Sequence, residues 1–505
     1  MHTTETLDAS TARRWLAEAL RALAAVRTRV DALNVFPVPD ADTGTNVVLT
    51  VTSGAREAHK LGPDASLPDL TAAVARGALW GARGNSGIII SQAFQAVART
   101  FASVGEARAT DLIRALDAIA IAARDAVAEP VDGTIITVSR AVADAVVGMP
   151  PDVSLSDVAA TAHRSAVDAL ARTGEQLAAA TGRHAAIDAG AASYVVLLDA
   201  LAEALGVSER PDIPWGPADP DTDDSPCPAP ADEGEFEVMY VYRGDRRQAR
   251  ATSAHLREVG HSVAVVAGVD DHWHVHVHLD DPTLALPGRR VEQLLVRHLH
   301  NPPSTRGLVA TASGPGILED LARSGAVATM NPRYDTLVRA VIDASSCDVT
   351  ILPATTELSD LAREVATDAM VAAEGITVRV APTTCDPHVY ATCTEWALAQ
   401  LVDEDAHPHH IAEECVREVI VHPIMGGTLA EGEAQVSRAL ASLPHGGEEP
   451  ATIVTGSATN AEPLASFAEA ALRARGREVS RVTCGQERPY LWLMVHREEA
   501  SEAPR

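Results

Sequence analysis

The segment NVFPVPDADTGTN, Asn34 to Asn46, places two aspartates one residue apart in a loop that contains two prolines. Asp40 and Asp42 flank the small Ala41, so both carboxylates could face one point in a tight turn. Carboxylates this close repel each other unless a cation lies between them or water screens them. Mg²⁺ prefers such hard oxygen ligands and usually completes its coordination with substrate phosphates and water. The segment therefore predicts a magnesium site, with an ordinary Asp- and Gly-containing turn as the alternative.

The residues that follow the aspartates are suited to binding an anion. Thr43, Gly44, Thr45 and Asn46 begin the next helical segment, where backbone N–H groups and hydroxyls are available. Loop carboxylates beside a helix N-terminus can hold a complex of a metal ion with a nucleotide.

Three more loops between helical segments carry glycine with polar residues. The stretch WGARGNSGIIISQ, Trp80 to Gln92, contains Gly84, Asn85, Ser86 and Gly87. It lacks the Gly-Lys-Ser/Thr of a Walker loop, and no strand precedes it as in a dinucleotide fingerprint. A second loop, PVDGTIITV, carries Thr134, and a third, AAIDAGAAS, carries Asp188 and Gly190. If these loops converge, they form one pocket. For the loop from Gly84 to Gly87, an ordinary glycine-containing helix cap is the alternative.

The first part of the chain has the apolar period of helices. From Ser10, a plausible N-cap, apolar residues recur at three- and four-residue steps as far as Leu33. Similar patterns continue to about Gly206 and predict an antiparallel helical bundle with its functional groups on loops at one end. They cover Leu67 to Ala82, Ile88 to Phe101, Leu112 to Ala128, Thr134 to Val147, Leu155 to Thr173 and Ala191 to Leu205.

The pattern then changes twice. The stretch from Ser208 to Glu235 is rich in Pro and Asp, which predicts an extended linker, with a functional acidic loop as the alternative. FEVMYVYRGD, HSVAVVAG and HWHVHVHLDD then predict strands, with a helix at Ala254 to Val259. Beyond Gly307, strands such as DVTILPA, ITVRVAP, EVIVHP, ATIVTG and YLWLMVH alternate with helical runs, which predicts an α/β domain with a largely parallel sheet. The predicted divisions are a helical domain (1–207), a linker (208–235), a small α+β domain (236–304) and an α/β domain (305–505).

Composition limits the classes of partner. The 505 residues are enough for several domains, and the formal charge of −28 argues against nucleic acid or an anionic membrane surface as a partner. The six cysteines are scattered and form no CxxC pair, which favours a reducing compartment. No run reaches the ~18 apolar residues of a membrane span, and the first residues lack the apolar run of a signal peptide. We therefore expect a cytoplasmic protein.

At its loop motifs the chain resembles the DhaL-type ATP-binding lobe of dihydroxyacetone kinases and, more closely, the ATP-binding subunit of fatty acid kinase (FakA). The family pattern NVFPVPDGDTGTN is matched by Asn34 to Asn46 with Ala41 in place of glycine, and GARGNSG is matched from Gly81 to Gly87 without change. The family pattern PVEGTILTV is matched by Pro130 to Val138, and the remaining loop of the family corresponds to Asp188 to Gly190.

This resemblance implies a helical barrel that binds ATP with two Mg²⁺ ions. Asp40 and Asp42 would be the catalytic metal ligands, with Asn34 as a further candidate. The loop Gly84 to Gly87 would cradle the phosphates, and the nucleotide pocket would be lined by Thr45, Asn46, Thr134 and Asp188. The last domain resembles the fatty-acid-binding DegV fold.

The segment HWHVHVHLDDP places His272, His274, His276 and His278 at alternate positions, so in a strand all four side chains project from one face. Neighbours on such a face can chelate a metal ion; a solvated face is the alternative. Fatty acid kinase subunits carry VHVH here and pair it with a cysteine on a preceding strand to bind zinc. In this chain Met239 or a neighbour stands near that position, and His274 is the nearest substitute. A thioether is a poor zinc ligand, so either another group completes a Zn²⁺ site at His276 and His278, or the zinc has been lost.

The resemblance implies that the chain transfers the γ-phosphate of ATP to a fatty acid, giving an acyl phosphate. A separate DegV-type fatty-acid-binding protein would present the acceptor, and family members are expected to be homodimers. The alternatives are a kinase of a small polyol or hydroxyacid and a non-catalytic nucleotide-binding scaffold.

Overall fold

The computed structural model describes residues 6–36, 42–127, 130–150, 152–182, 185–215, 234–267, 271–288, 290–300, 305–403, 406–443 and 450–497. The chain divides into two compact units. The first consists of Met1–Gly234 with Val241–Leu279, and the second of Glu235–Tyr240 with Asp280–Arg505. Strand β1 (Phe236–Arg243) contains a point of division between them. No helix in the described parts of the chain has both the length and the apolar character needed to cross a membrane.

The first unit begins as a succession of helices, as the apolar period predicts. They are α1 (Ala9–Ala32), α2 (Thr43–His59), α3 (Leu67–Gly81), α4 (Gly84–Phe101), α5 (Ala109–Asp125), α6 (Ile135–Val147), α7 (Leu155–Leu170), α8 (Thr173–Thr181) and α9 (Ala189–Ala204). Completely buried alanines such as Ala19, Ala73 and Ala162 let neighbouring helices approach closely. The helical N-terminal domain is therefore confirmed.

Two details of the helix prediction were wrong. The N-cap of α1 is Asp8 and not Ser10, because the Asp8 carboxylate accepts the Thr11 N–H at 2.7 Å. The run predicted from Leu155 to Thr173 ends at Leu170, and the separate helix α8 follows.

The stretch from the end of α9 to Trp215, where this described range ends, contacts the helices. Arg210 donates to the carboxylate of Asp199 at 2.7 Å and pairs with Glu203 at 3.0 Å. The Arg29 guanidinium lies 5.2 Å from the centre of the Trp215 ring. Most of the predicted linker, residues 216–233, lies outside the described residues.

The rest of the first unit combines a helix with strands. They are α10 (Arg246–Val259), β2 (His261–Ala267) and β3 (His272–Leu279), with the end of β1. Strands β2 and β3 pair antiparallel. Helix α10 starts eight residues before the predicted Ala254, because Asp245 and Gln248 form a capping box at its start. The prediction missed this first turn because the turn is rich in arginine and has no apolar period.

The second unit contains two groups of paired strands with helices between them. The strands are β4 (Val291–His298), β5 (Arg306–Ala312), β6 (Ala326–Met330), β7 (Asp348–Leu352), β8 (Thr377–Val380), β9 (Val419–Ile424), β10 (Ala451–Thr455), β11 (Val479–Thr483) and β12 (Leu491–His496). The helices are α11 (Leu318–Arg323), α12 (Tyr334–Asp343), α13 (Thr356–Val365), α14 (Ala369–Ala373), α15 (Asp386–Ala399), α16 (Pro408–Glu418), α17 (Leu429–Ser442) and α18 (Ala461–Arg473).

The pairing of these strands differs from the predicted parallel sheet. Strands β6, β5, β7 and β8 pair in parallel, as predicted, and β4 joins β6 antiparallel. A separate sheet has the order β11-β10-β12-β9, in which β10 and β11 are parallel while β12 is antiparallel to both β10 and β9. The connection from Thr483 to Leu491 is too short for a parallel crossover, so β12 must return in the opposite direction.

Candidate functional site

A buried carboxylate on α1 fixes the start of α2. Asp31 accepts the Thr45 N–H at 2.9 Å with one oxygen and the Thr45 hydroxyl at 2.9 Å with the other. Arg27 donates to the same hydroxyl at 3.0 Å. Burial raises the pKa of Asp31, the bonds from Thr45 lower it, and repulsion from Asp42 raises it further. The Thr45 hydroxyl is thus engaged in holding the loop, and Asp31 is a site residue that the sequence interpretation missed.

Asp42 immediately precedes α2, and its carboxylate accepts the Asn46 side-chain N–H at 2.7 Å. Asn34 is buried and donates its backbone N–H to the Asp31 carbonyl at 3.1 Å. Asp40 falls among residues 37–41, which lie outside the described residues. Its role as a metal ligand stays a prediction, as do those of Asp42 and Asn34.

The loop motif from Gly84 to Gly87 packs directly on the motif that ends at Asn46. Gly84 has a positive φ of 57°, and a Cβ added to it would lie 2.5 Å from the Asn46 side-chain nitrogen. Asn85 and Ser86 follow in the first turn of α4, and the Asn85 Oδ1 is buried with no hydrogen-bond partner among the described residues. Gly87 approaches the Thr50 hydroxyl, which a Cβ would meet at 2.6 Å. The glycines therefore bring α4 against α2, and Asn85 keeps an oxygen available.

The carboxylate of Asp188 connects its own loop to the loop that contains Thr134. Asp188 caps α9 by accepting the Ala191 N–H at 2.7 Å and also accepts the Ile135 N–H, at the start of α6, at 3.1 Å. Thr134 caps α6, and its hydroxyl donates to the Val131 carbonyl at 2.8 Å. Burial raises the pKa of Asp188 to about 6, although the two backbone hydrogen bonds act in the opposite direction.

The raised pKa of Asp188 predicts how Asp188→Asn changes stability with pH. A carboxyl with a raised folded-state pKa favours folding fully below its unfolded pKa, and that contribution is lost as the pH rises through about 6. Asparagine keeps an oxygen for both N–H groups but does not ionise. Relative to wild type, the variant should therefore gain on the order of 2 kcal/mol in free energy of unfolding between pH 4.5 and pH 7.5. Urea unfolding of wild type and variant at both pH values measures this difference, and Asp245→Asn in the exposed cap of α10 is the control. An equal change in the free energy of unfolding with pH in wild type and in Asp188→Asn would contradict the prediction.

The starts of α4, α6 and α9 meet at a cavity of about 500 Å³ in the first unit. Its lining includes Asn85, Ser86, Thr134 and Asp188, together with Phe36. Helix N-termini favour anions, and this volume is within the usual range for small-molecule sites. The N–H groups of these helix starts and the Ser86 hydroxyl fit a nucleotide polyphosphate, whereas the unpaired Asn85 oxygen can only accept a hydrogen bond or bind a cation. The other predicted residues do not line the cavity; they lie in the loops and helix starts that flank it, and comprise Asp42, Thr43, Thr45, Asn46, Gly84, Gly87 and Gly190.

The cavity also has a wall that the sequence interpretation missed. Arg257 from α10 and His261 and Ser262 from β2 line it. Ser262 has a positive φ of 52°, which is uncommon for a residue other than glycine. The available signal was the run RRQARATSAHLR, which is strongly basic within an acidic chain.

Three of the four histidines of β3, His274, His276 and His278, are buried, so the solvated-face alternative is wrong for them. His276 and His278 are 4% and 1% exposed, and their Nε2 atoms lie 3.0 Å apart. His274 is buried against Trp80, with ring centres 6.2 Å apart. Burial lowers the pKa of His274 to about 3, helped by the charges of Arg83 and His272. Two nitrogens at ~2.0–2.1 Å from one tetrahedral Zn²⁺ are roughly 3.3 Å apart, so the His276–His278 pair fits a shared ion.

If this pair binds zinc, elemental analysis of the purified chain should find about one zinc per molecule. His276→Ala and His278→Ala should each lose the metal, because each removes a ligand. His272→Ala, at the start of the same strand, is the matched control and should retain it. A fully active chain without zinc would show that the site is not required.

Comparison with known proteins finds matches to two protein families. The DAK2 domain family matches residues 37–203, and the family of FakA-like middle domains of fatty acid kinase matches residues 233–288. Protein YloV of Bacillus subtilis is 28% identical over 393 residues, which cover 69% of this chain and 70% of that protein. An uncharacterized protein of Staphylococcus haemolyticus is 45% identical over 118 residues, 23% of this chain and 21% of that protein.

Among solved structures, dihydroxyacetone kinase from C. freundii in complex with AMP-PNP and Mg²⁺ aligns with a TM-score of 0.30 and 19% identity, covering 38% of this chain and 34% of that one. The family matches span the loop motifs of the first unit and continue into the strands that follow. The chain therefore contains a DAK2 domain followed by a FakA-like middle domain, and these matches support a kinase.

Proposed function

We propose that the chain transfers the γ-phosphate of Mg-ATP to the carboxylate of a fatty acid that a separate DegV-type protein presents. The observation that carries this proposal is the cavity at the starts of α4, α6 and α9, which joins polar residues of three motifs. A carboxylate oxygen of the acceptor attacks the γ-phosphorus, the bond to the bridging oxygen breaks, and ADP and an acyl phosphate leave.

In this proposal Asn85 and Ser86, with the N–H groups at the start of α4, bind phosphate oxygens. Asp40 and Asp42 hold Mg²⁺, which when bound offsets the charge of the phosphates, and Asn34 is a further candidate ligand. Asp188 and Thr134 act by fixing the starts of α9 and α6, as their hydrogen bonds support. Thr43, Thr45, Asn46, Gly84, Gly87 and Gly190 shape the loops.

The acceptor-presenting partner is supported by the family of the middle domain, which is that of one component of fatty acid kinase. The DegV-like character of the last domain is supported by its parallel strands β5 to β8 and by short motifs of the resemblance, TMNP at Thr329 to Pro332 and APTT at Ala381 to Thr384. The DAK2 match also favours a second candidate, a kinase of a small hydroxyl acceptor that needs no protein partner.

Release of ADP from Mg-ATP by the purified chain tests both candidates. The assay contains oleate with or without a DegV-type protein of the same organism, and a parallel assay contains dihydroxyacetone alone. ADP and acyl phosphate that form only with the partner support the fatty acid kinase. Turnover with dihydroxyacetone alone supports the second candidate, and tight ATP binding without turnover under every condition overturns both.

A further inference from the structure

A second cavity of the first unit, of about 1060 Å³, collects arginines. We call it the arginine trough, defined by Arg99 at the end of α4, Arg124 at the end of α5, and Arg246, Arg250 and Arg257 of α10. All five side chains belong to exposed residues. The trough is therefore a cationic surface open to solvent.

Within the part of the chain that the structure describes, these arginines have no carboxylate partner. Among the described residues none of the five forms an ion pair or a side-chain hydrogen bond, although Asp125 also lines the trough. The chain has 69 acidic residues against 41 lysines and arginines, so carboxylates are abundant. Five unpaired cations around one cavity repel each other, and an anionic surface placed there would relieve that repulsion.

The arrangement on α10 is regular. Arg246, Arg250 and Arg257 are separated by four and seven residues, which places them on one side of the helix. Arg247 belongs to the same helix but does not line the trough. The lining also includes apolar side chains, among them Ile121, which is 53% exposed, Val265 and Trp273. A surface that combines arginines with exposed apolar side chains is typical of a protein-binding site.

The trough adjoins the nucleotide cavity. Arg257 lines both cavities, and so does Val127. A molecule bound in the trough therefore lies beside the proposed phosphate site, which is where a protein that carries the acceptor has to dock.

We propose that the arginine trough is the docking surface for an acidic face of the protein that presents the carboxylate acceptor. This proposal rests on the proposed function. The net charge of −28 repels an acidic partner at long range, but screening limits that repulsion to ~8 Å at physiological ionic strength. At contact distance the local charge decides, and in the trough that charge is positive. The arginines then orient the partner so that its acceptor faces Arg257.

The test uses the full chain and an oleate-loaded DegV-type protein of the same organism as the probe. The variant is Arg246→Glu with Arg250→Glu, and the matched control is Arg247→Glu, on the same helix but outside the trough. The partner concentration at half-maximal ADP release should rise by ~10-fold or more in the double variant, because steering and contact are both lost. Affinity for Mg-ATP alone should be unchanged in both variants, and the control should bind the partner as wild type does.

Further measurements separate the outcomes. Direct binding of fluorescently labelled partner keeps the test independent of turnover: if wild type binds the partner but makes no ADP, the proposed function fails while the double variant still tests the docking surface. Arg99→Glu, on a different helix, repeats the test if α10 unfolds in the double variant. Unchanged partner affinity in both would overturn the proposal. A loss confined to affinity for free oleate would overturn the proposal and indicate that the trough binds the acceptor itself. A change confined to self-association of this chain would overturn it and indicate that the trough binds a second copy of the chain.

Discussion

Asp42→Ala is expected to lower the rate of ADP formation from Mg-ATP by ~10²-fold or more, because it removes a carboxylate at the proposed phosphate and metal end of the site. The fold should survive, because Asp42 precedes α2 and makes no side-chain capping bond to the helix backbone. The measurement is steady-state ADP release with the partner present, alongside thermal unfolding.

Asp42→Asn is the matched variant for this prediction. Asparagine retains an oxygen that can accept the Asn46 side-chain N–H, so the hydrogen bond of the loop is kept while the charge is lost. If the charge is what matters, this variant should be as slow as Asp42→Ala, and both should require more Mg²⁺ for half-maximal rate. Wild-type rates in Asp42→Ala and in Asp40→Ala would overturn the metal assignment.

Gly133→Ala is expected to destabilise the first unit by on the order of 3 kcal/mol, which lowers its unfolding temperature by roughly 10 °C. Gly133 has a φ of 84°, and an added Cβ would lie 2.4 Å from the Leu177 backbone nitrogen and 2.7 Å from the Thr173 carbonyl oxygen. Backbone atoms on two sides cannot move aside as a flexible side chain would. Thermal unfolding of the full chain, followed by circular dichroism at helical wavelengths, measures the change.

Gly182→Ala is the control that separates crowding from backbone strain. Gly182 also has a positive φ, of 75°, but an added Cβ there would meet no atom within 4 Å. Strain alone should cost ~1 kcal/mol. Equal losses in the two variants would contradict the steric explanation for Gly133.

The helices were predictable where an apolar face marks them. Helix α3 was predicted from Leu67 to Ala82 and ends one residue earlier. The short α8 was missed because Leu177 is its main buried apolar residue, which is too little to form a period. The pairing in the sheet of β9 to β12 was not predictable from strand patterns alone, because direction depends on how the connecting segments return.

The candidate site was predictable to the extent that single loops reveal it. Asn85 and Thr134 were found from their glycine-bearing motifs, and they do line the cavity. Asp31 was missed because it appears as one more polar residue of α1, and only its bonds to Thr45, fourteen residues later, show its role. The wall formed by Arg257 comes from a helix distant in sequence; its basic run was visible in the sequence, but no local pattern could place that run beside these loops.

Asp188 accepts the N–H groups of Ile135 and Ala191, which begin two different helices. The two amide protons are therefore protected from exchange with solvent deuterium by one side chain. Any local opening that frees this carboxylate exposes both amides together, so the two loops should exchange as one cooperative unit. A nucleotide that closes the cavity over either loop would slow exchange at both, which makes this pair of amides an internal reporter of occupancy.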